Sequence, residues 1–358
     1  MAERATSPAS SSQHVSWFKD VGIADRPHVG GKGGSLGELH RAGIVVPPGF
    51  VVRTRAFERF LDALERDAPV RAHVETLSHE DLETIAQRSK ALRERIESAA
   101  LPPDLLEEIA SAHAALCAGG APVPVAVRSS ATTEDASDAS FAGLQDTYLW
   151  VKSAADMLDK VRSCWASLYS VESISYRRRR GFPEEGVAMA VVVQRMVDAR
   201  TAGVMFTRSP LTGDRSVITI EGAWGLGSSV VGGEVTPDRW VLGKITGEIA
   251  VREISEKAIE HLPAAAGGIE AVSVAEERRS APSLSDDELQ QLRDIGRRVE
   301  RHYGQPQDIE WAVERESGAI LLLQSRPETV WSTKEAAPVA SAAENPLAHV
   351  MSIFGGRR

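Results

Sequence analysis

The chain has 358 residues, of which 42% are hydrophobic and 25% charged, and a formal net charge of −9. That length predicts two domains or one large two-lobed one with a real core, and the acidic balance argues against nucleic acid as the main partner. The 2 cysteines, Cys117 and Cys164, give neither a disulfide framework nor a zinc spacing, which points to a cytoplasmic setting. Residues 1–14 are Ser/Ala-rich, lack the apolar core of a signal peptide and are expected to be disordered. The longest apolar run, Val187 to Val193, is too short to span a membrane, so no membrane partner is expected.

After Trp17 comes VGGKGGSLGELHRAGIVVPPGFVV, in which glycines 30, 31, 33, 34 and 37 surround Lys32 and a helical pattern runs through Leu36, Leu39 and Ala42. A glycine-rich turn opening a helix offers N–H groups and a positive dipole end to an anion, and Lys32 adds a point charge. The same residues also make a plain tight turn with a solvated lysine. A Walker A loop is excluded, because Lys32 is followed by Gly33 and not by Ser or Thr. Pro47-Pro48-Gly49 marks a turn into a strand, and residues 55–117 carry the period of scaffold helices.

Val123 to Val127 reads as a strand delivering Arg128 into a loop with Ser129, Ser130, Thr132, Thr133, Ser137, Ser140 and Gly143. A guanidinium forks onto phosphate oxygens, hydroxyls and free N–H groups take the remaining ones, and glycine lets the backbone come close. A strand with an exposed arginine and a Ser/Thr-rich surface loop fits equally. Residues 154–180 read as one or two helices closed by Arg177–Arg180 and Gly181, cations and stop suiting the helix end. Val187–Val197 reads as a buried strand, ending in Gln194, Met196 and Val197, where a backbone edge could read an adenine or the strand could simply stop.

The Gly225-Leu226-Gly227 run lacks the third glycine of a dinucleotide fingerprint, since Val230 stands there, and no helix clearly starts after it. Residues 263–285 read as a surface excursion. A helix within 285–304 then precedes QDIEWAVERESGAILLLQSRPET, where Asp308 and Glu310 share one face of a strand and a hairpin brings back Gln324 and Arg326. A carboxylate beside an amide oxygen on adjacent strands is hard-oxygen ligation suited to Mg²⁺. The alternative is a surface hairpin with an ion pair between Glu310 and Arg326.

Taken in order, VGGKGGSLGEL, VAVRSSATTEDASDASFAGLQDTYL, VVVQRMV followed by AGVMFT, IEGAWGLGSSVVGGEVTPDRW and QDIEWAVE followed by LLLQSRPET resemble the N-terminal nucleotide-binding domain of the phosphoenolpyruvate synthase and pyruvate phosphate dikinase family, a domain that rifampicin phosphotransferase shares. The resemblance covers roughly residues 15–330. It implies an α+β, ATP-grasp fold with two lobes clamping ATP, lobe 1 over 15–186, lobe 2 over 187–330, and a linker and tail over 331–358. It implies that Lys32 and Arg128 bind phosphate, that Gly143 and Thr147 belong to a loop closing over it, and that Gln194 with the backbone near Met196 and Val197 forms an adenine hinge. Glu310 and Gln324 match the Mg²⁺ ligands, and Arg326 the arginine beside the transferred phosphates.

Two departures qualify the resemblance. Ser228 stands where the family usually carries an acidic residue, and none of the histidines 14, 28, 40, 73, 79, 113, 261, 302 and 349 sits in the Gly/Ser-rich motif of a swivelling phosphohistidine domain. The expectation is therefore the first half of a split enzyme: a pyruvate, water dikinase-like component that uses Mg-ATP to phosphorylate a histidine on a separate partner chain. The alternatives are the matching subunit of a phenylphosphate synthase-type kinase or another dikinase or antibiotic phosphotransferase, and a non-catalytic ATP-sensing module. The apolar stripe Leu347, Val350, Met351 and Phe354 is expected either to pack back on the domain or to dock the partner chain.

Overall fold

In the computed structural model, which describes residues 14–132, 146–329 and 331, the apolar runs collect into two antiparallel sheets and a hairpin. The first sheet has the order β1-β2-β5-β3-β4. Its strands are Val15–Trp17 (β1), Gly49–Val52 (β2), Val125–Ala131 (β3), Thr147–Val151 (β4) and Met189–Arg195 (β5). Central β5 is buried from Met189 to Gln194, as a continuous apolar run requires of a strand covered on both faces. One face carries Phe50, Val52, Val191 and Val193 against Thr54–Leu64 (α2), Arg71–Glu75 (α3), Leu82–Ser98 (α4), Pro103–Leu116 (α5), Ala154–Ser167 (α6) and Val171–Arg180 (α7). In that core Phe60 stacks on Trp165 at 5.0 Å between ring centroids. The alternate residues Val51, Ala190 and Val192 meet Arg26–Arg41 (α1) on the other face.

The second sheet has the order β13-β12-β6-β7-β8-β9. Its strands are Ala199–Phe206 (β6), Val217–Trp224 (β7), Asp238–Gly243 (β8), Ile249–Glu253 (β9), Gln307–Glu314 (β12) and Ile320–Pro327 (β13). Met205, Ile218, Ile220, Trp240 and Trp311 bury against Asp286–Tyr303 (α10). That helix opens on a reciprocal Ser285–Glu288 capping box and ends at Gly304 in the left-handed region. Leu39 of α1 also enters this second core, whereas Leu36 lies in the first, so α1 is shared by both sheets.

Several expectations change. Met189–Arg195 pairs inside the first sheet and Ala199 opens the second, so the chain passes from one sheet to the other between Arg195 and Ala199. β5 has apolar neighbours on both sides in the first sheet, and its burial requires that place. The stretch around Lys32 keeps the expected glycine turn before a helix, with a helical segment in front of it as well. α1 breaks at Gly30, whose φ of 70° and ψ of 177° no side-chain-bearing residue adopts readily, and Lys32 lies in the first turn of the part that runs on to Arg41. A short helix, Ser228–Val231 (α8), does follow Gly225-Leu226-Gly227. The excursion at 263–285 contains most of a hairpin, Ile259–Pro263 (β10) with Ile269–Ser273 (β11), and the short helix Glu276–Arg279 (α9). Within the arginine run, Gly181 is left-handed as a helix stop, but Arg177 is buried and forks onto Glu184 through Nε at 3.0 Å and Nη2 at 3.2 Å. Gly143, the N-terminal residues 1–13 and the C-terminal stripe lie outside the described residues.

Candidate functional site

A cavity of about 820 Å³ opens between the two sheets. Its lining includes Ala126, Arg128, Thr147 and Gln194 from the first sheet, Met196 and Val197 from the crossing segment, and Ala202, Gly203, Glu310 and Ala312 from the second. Gln194 is 2% exposed and its Nε2 has no protein partner, a buried donor at the wall of a cavity. Met196 does not offer its N–H, which donates to the Pro124 carbonyl at 2.9 Å. A hinge here would rely on Val197 and on the carbonyls of the segment.

At the other end, Arg128 of β3 reaches across to the second sheet. Its Nη2 donates to Glu310 Oε2 at 2.7 Å and Gln324 Oε1 at 2.9 Å, and its Nη1 to the Leu323 carbonyl at 3.3 Å. β12 and β13 set this up by register: Glu310 lies opposite Gln324, and Asp308 opposite Arg326. The cross-strand ion pair is therefore Arg326 Nε with Asp308 Oδ2 at 3.3 Å, not Arg326 with Glu310. Burial lifts the Asp308 carboxyl to about 6, Arg326 opposing the rise and Glu328 adding to it, and its Oδ1 is buried without a partner.

The fit to a cation can be judged from these donors. Glu310 and Gln324 present their oxygens to one and the same nitrogen, so one small centre can lie within reach of both. Asp308 stands one strand step away on the same face with an unused oxygen. One or two carboxylates, an amide oxygen and open positions for phosphate and water suit Mg²⁺. Among the described residues no group of three His, Cys, Asp or Glu side chains gathers, which argues against a dedicated all-protein metal cage.

Lys32 and Arg326 are not lining residues of the cavity. Lys32 is half-buried on α1, and that helix is pinned on both sides. Ser130 of β3 donates to the Val29 carbonyl at 3.0 Å and accepts from Gly33 N–H at 3.2 Å. Ser35 donates to the Ser325 carbonyl of β13. Lys32 thus sits between the strands that carry Arg128 and Gln324. Its charge also reaches Cys164, whose buried thiol is pushed well above its usual range by desolvation. Arg326 is exposed. Thr147 is exposed at the start of β4, directly opposite Arg128.

Parts of the wall had no signal in the sequence. The β10–β11 tip lines the cavity with Ala266, Gly267, Gly268 and Ile269. It is tied to β4 by Gly268 N–H on the Trp150 carbonyl at 3.1 Å, and by Lys152 Nζ on the Ala264 and Ala265 carbonyls at 3.2 and 2.7 Å. Trp150 takes φ of 56°, a left-handed backbone unusual for a tryptophan. Asp308 is the residue the sequence did signal, by its spacing from Glu310, though no ligand role followed from it.

Two antiparallel sheets with a cavity between them, and an arginine shared between a carboxylate and an amide on its wall, define a mixed α/β protein. Residues 26–346 match the family described as the pyruvate phosphate dikinase AMP/ATP-binding domain, and the chain belongs to that family. It is 37% identical over 377 residues to the phosphoenolpyruvate synthase of Pyrococcus furiosus, covering 94% of this chain and 46% of that protein. It is 40% identical over 355 residues to the phosphoenolpyruvate synthase of Aeropyrum pernix, covering 90% and 43%. To a probable phosphoenolpyruvate synthase of Methanocaldococcus jannaschii it is 41% identical over 321 residues, covering 89% and 27%. The chain thus spans less than half the length of these relatives. D-alanyl-alanine synthetase A from Vibrio cholerae matches in structure with a TM-score of 0.25 at 11% identity over 68% of this chain and 54% of that one, too little to carry a fold argument. Among the described residues no helix is long and apolar enough to cross a membrane.

Proposed function

We propose that this chain binds Mg-ATP in the cleft between its sheets, in the manner of an ATP-grasp domain, and serves as the ATP-using component of a phosphoenolpyruvate synthase-like phosphotransferase. The observation that carries this reading is the convergence of Arg128 with Glu310 and Gln324 at one end of a cavity whose other end holds the unpartnered Gln194 amide. The base lies toward Gln194, Met196 and Val197, and the phosphates toward Arg128, with Lys32 and Arg326 flanking them and Thr147 beside Arg128. Glu310 and Gln324, with Asp308 beside them, would hold Mg²⁺, which neutralises phosphate charge when bound. Arg128 then turns from Glu310 to the phosphate oxygens. Phosphoryl transfer is mostly positioning and charge neutralisation, and these side chains supply both.

The acceptor in this reading is a histidine on a separate partner chain, and pyruvate is the final acceptor that the relatives' names suggest. Calorimetry with ATP and Mg²⁺ tests the core of the proposal. Wild type should bind and its melting temperature should rise, by linkage to a site that exists only when folded. Arg128→Ala, shown to be folded by circular dichroism, should lose about tenfold or more in affinity, the scale of a charge-assisted contact. Absence of ATP binding by the wild type would overturn the reading.

A further inference from the structure

Ser228 is tied into a polar relay that the proposed chemistry does not use, running from the half-buried serine through a buried imidazole to an exposed carboxylate. Its Oγ lies 2.8 Å from His261 Nδ1, and His261 Nε2 lies 3.4 Å from Glu234 Oε2. The imidazole is 9% exposed, and its backbone is fixed as well, its carbonyl accepting from Leu226 N–H at 2.9 Å. Gly225, at φ of 72°, permits that approach, since a Cβ there would lie 2.5 Å from the same carbonyl. Ser228 itself lines the cavity.

Its position along the cavity follows from the strand beneath it. A Cβ on Gly227 would touch Ala202 Cβ at 3.5 Å and Gly203 N at 3.8 Å, so Gly227 and Ser228 lie over the middle of β6. Val197 precedes that strand on one side, and Val204, further along it, pairs with Glu310. The order along the wall is hinge end, Ser228, phosphate end, which is the order base, sugar, phosphate of a nucleotide. Of the lining residues that follow Val197 in the chain, only Ser228 and Glu310 have side chains bearing oxygen. Glu310 belongs to the phosphate end. The other lining residues near Ser228 on this wall are Ala202, Gly203, Leu226 and Gly227, none with a polar side chain.

Resting on the Mg-ATP reading, we infer that Ser228 is the contact for the sugar hydroxyls of the bound nucleotide, and that His261, backed by Glu234, is the positioning residue that aims it. The Glu234 carboxylate favours a proton on His261 Nε2, so Nδ1 accepts from the Ser228 hydroxyl. The lone pairs of Oγ then face a ligand hydroxyl that donates. A neutral serine held in this way takes the role of sugar contact without adding an anion near the triphosphate.

Calorimetry with ATP, 2′-deoxy-ATP and 3′-deoxy-ATP at fixed Mg²⁺ tests this. Wild type should bind ATP about 3- to 10-fold more tightly than at least one deoxy analogue, the range of one neutral hydrogen bond. Ser228→Ala should bring ATP down to the affinity of that analogue and leave the analogue unchanged. His261→Ala should lose the same discrimination, and His261→Asn, which returns an amide group near Nδ1, should restore part of it. A merely structural role for His261 would lower the affinities for all three nucleotides together. Discrimination surviving intact in Ser228→Ala, or absent from a wild type that binds ATP, overturns this inference alone. A wild type that binds none of the three overturns the Mg-ATP reading and this inference with it.

Discussion

Arg128 spends its hydrogen bonds on the groups proposed to hold the metal. Its side chain is 12% exposed, and Glu310 at 30% is close enough to neutralise it. Glu310 faces the guanidinium until a phosphate does, and the neutral oxygens of Gln324 and Leu323 accept from it as well. Glu310→Gln keeps the volume and an oxygen acceptor but removes the charge. It should weaken Mg²⁺-dependent ATP binding about tenfold or more while changing the melting temperature little. A matched loss of stability and binding, read by calorimetry and thermal melts, would make the residue a structural partner of Arg128 only. A second residue contributes to the pH response. His113 is 3% exposed with no partner on Nε2, and burial lowers its pKa below the ordinary 6.5. The unfolded chain therefore takes up a proton that the folded one resists. The corresponding stability is complete above the ordinary value and is lost as pH falls through it toward the lowered one. His113→Leu should flatten that decline, seen as a stability gap between variant and wild type that changes in the variant's favour from pH 7.5 to pH 5.

The helix α1 is the element on which the site's two sides agree. Its first part packs on the first sheet, Leu39 packs in the second core, and serines on either side pin it. The break at Gly30 makes this possible. A Cβ at Gly30 would lie 2.1 Å from the Ser130 carbonyl, and the backbone there is one that only glycine adopts cheaply. Gly30→Ala should therefore cost at least about 1–3 kcal/mol, and because β3 must move away, it should also displace Lys32 and weaken ATP binding. Thermal melts with and without ATP separate the two effects. An alanine variant with wild-type stability would show that the kink is not required.

At the scale of the molecule, the cavity is closed from the second sheet onto the first by the β10–β11 tip. The contacts there are few and mostly to carbonyls: Lys152 Nζ to Ala264 and Ala265, and Gly268 N–H to Trp150. Trp150 and Ile269 also pack there on the small cluster of Val197, Ala202 and Leu226, which is separate from the two large cores, so such a seam can open without breaching either of them. Lys152→Ala should speed release of a fluorescent ATP analogue by about 3- to 10-fold, the worth of a hydrogen bond or two, with the melting temperature of the free protein nearly unchanged. Stopped-flow release at the wild-type rate would mean that ligand leaves by another path.

Much of this was legible before any coordinates. Residue chemistry and local period belong to short stretches of chain. Arg128 after a β-branched run, Asp308 and Glu310 two apart, the hairpin back to Gln324 and the helical periods of 55–117 could all be read in place. What needed the tertiary structure were meetings between distant residues. Arg128 reaches Glu310 across 182 positions, and Ser228 reaches His261 across 33. Strand register gave Asp308, not Glu310, to Arg326, and the burial of both faces of Met189–Arg195 drew that strand into the first sheet. Arg177 looked like one more cation at a helix end until its burial with Glu184 showed a structural pair. A side chain's capacity to bind is set by its own atoms. Its partner is set by which strands lie side by side, and that depends on the packing of the whole chain.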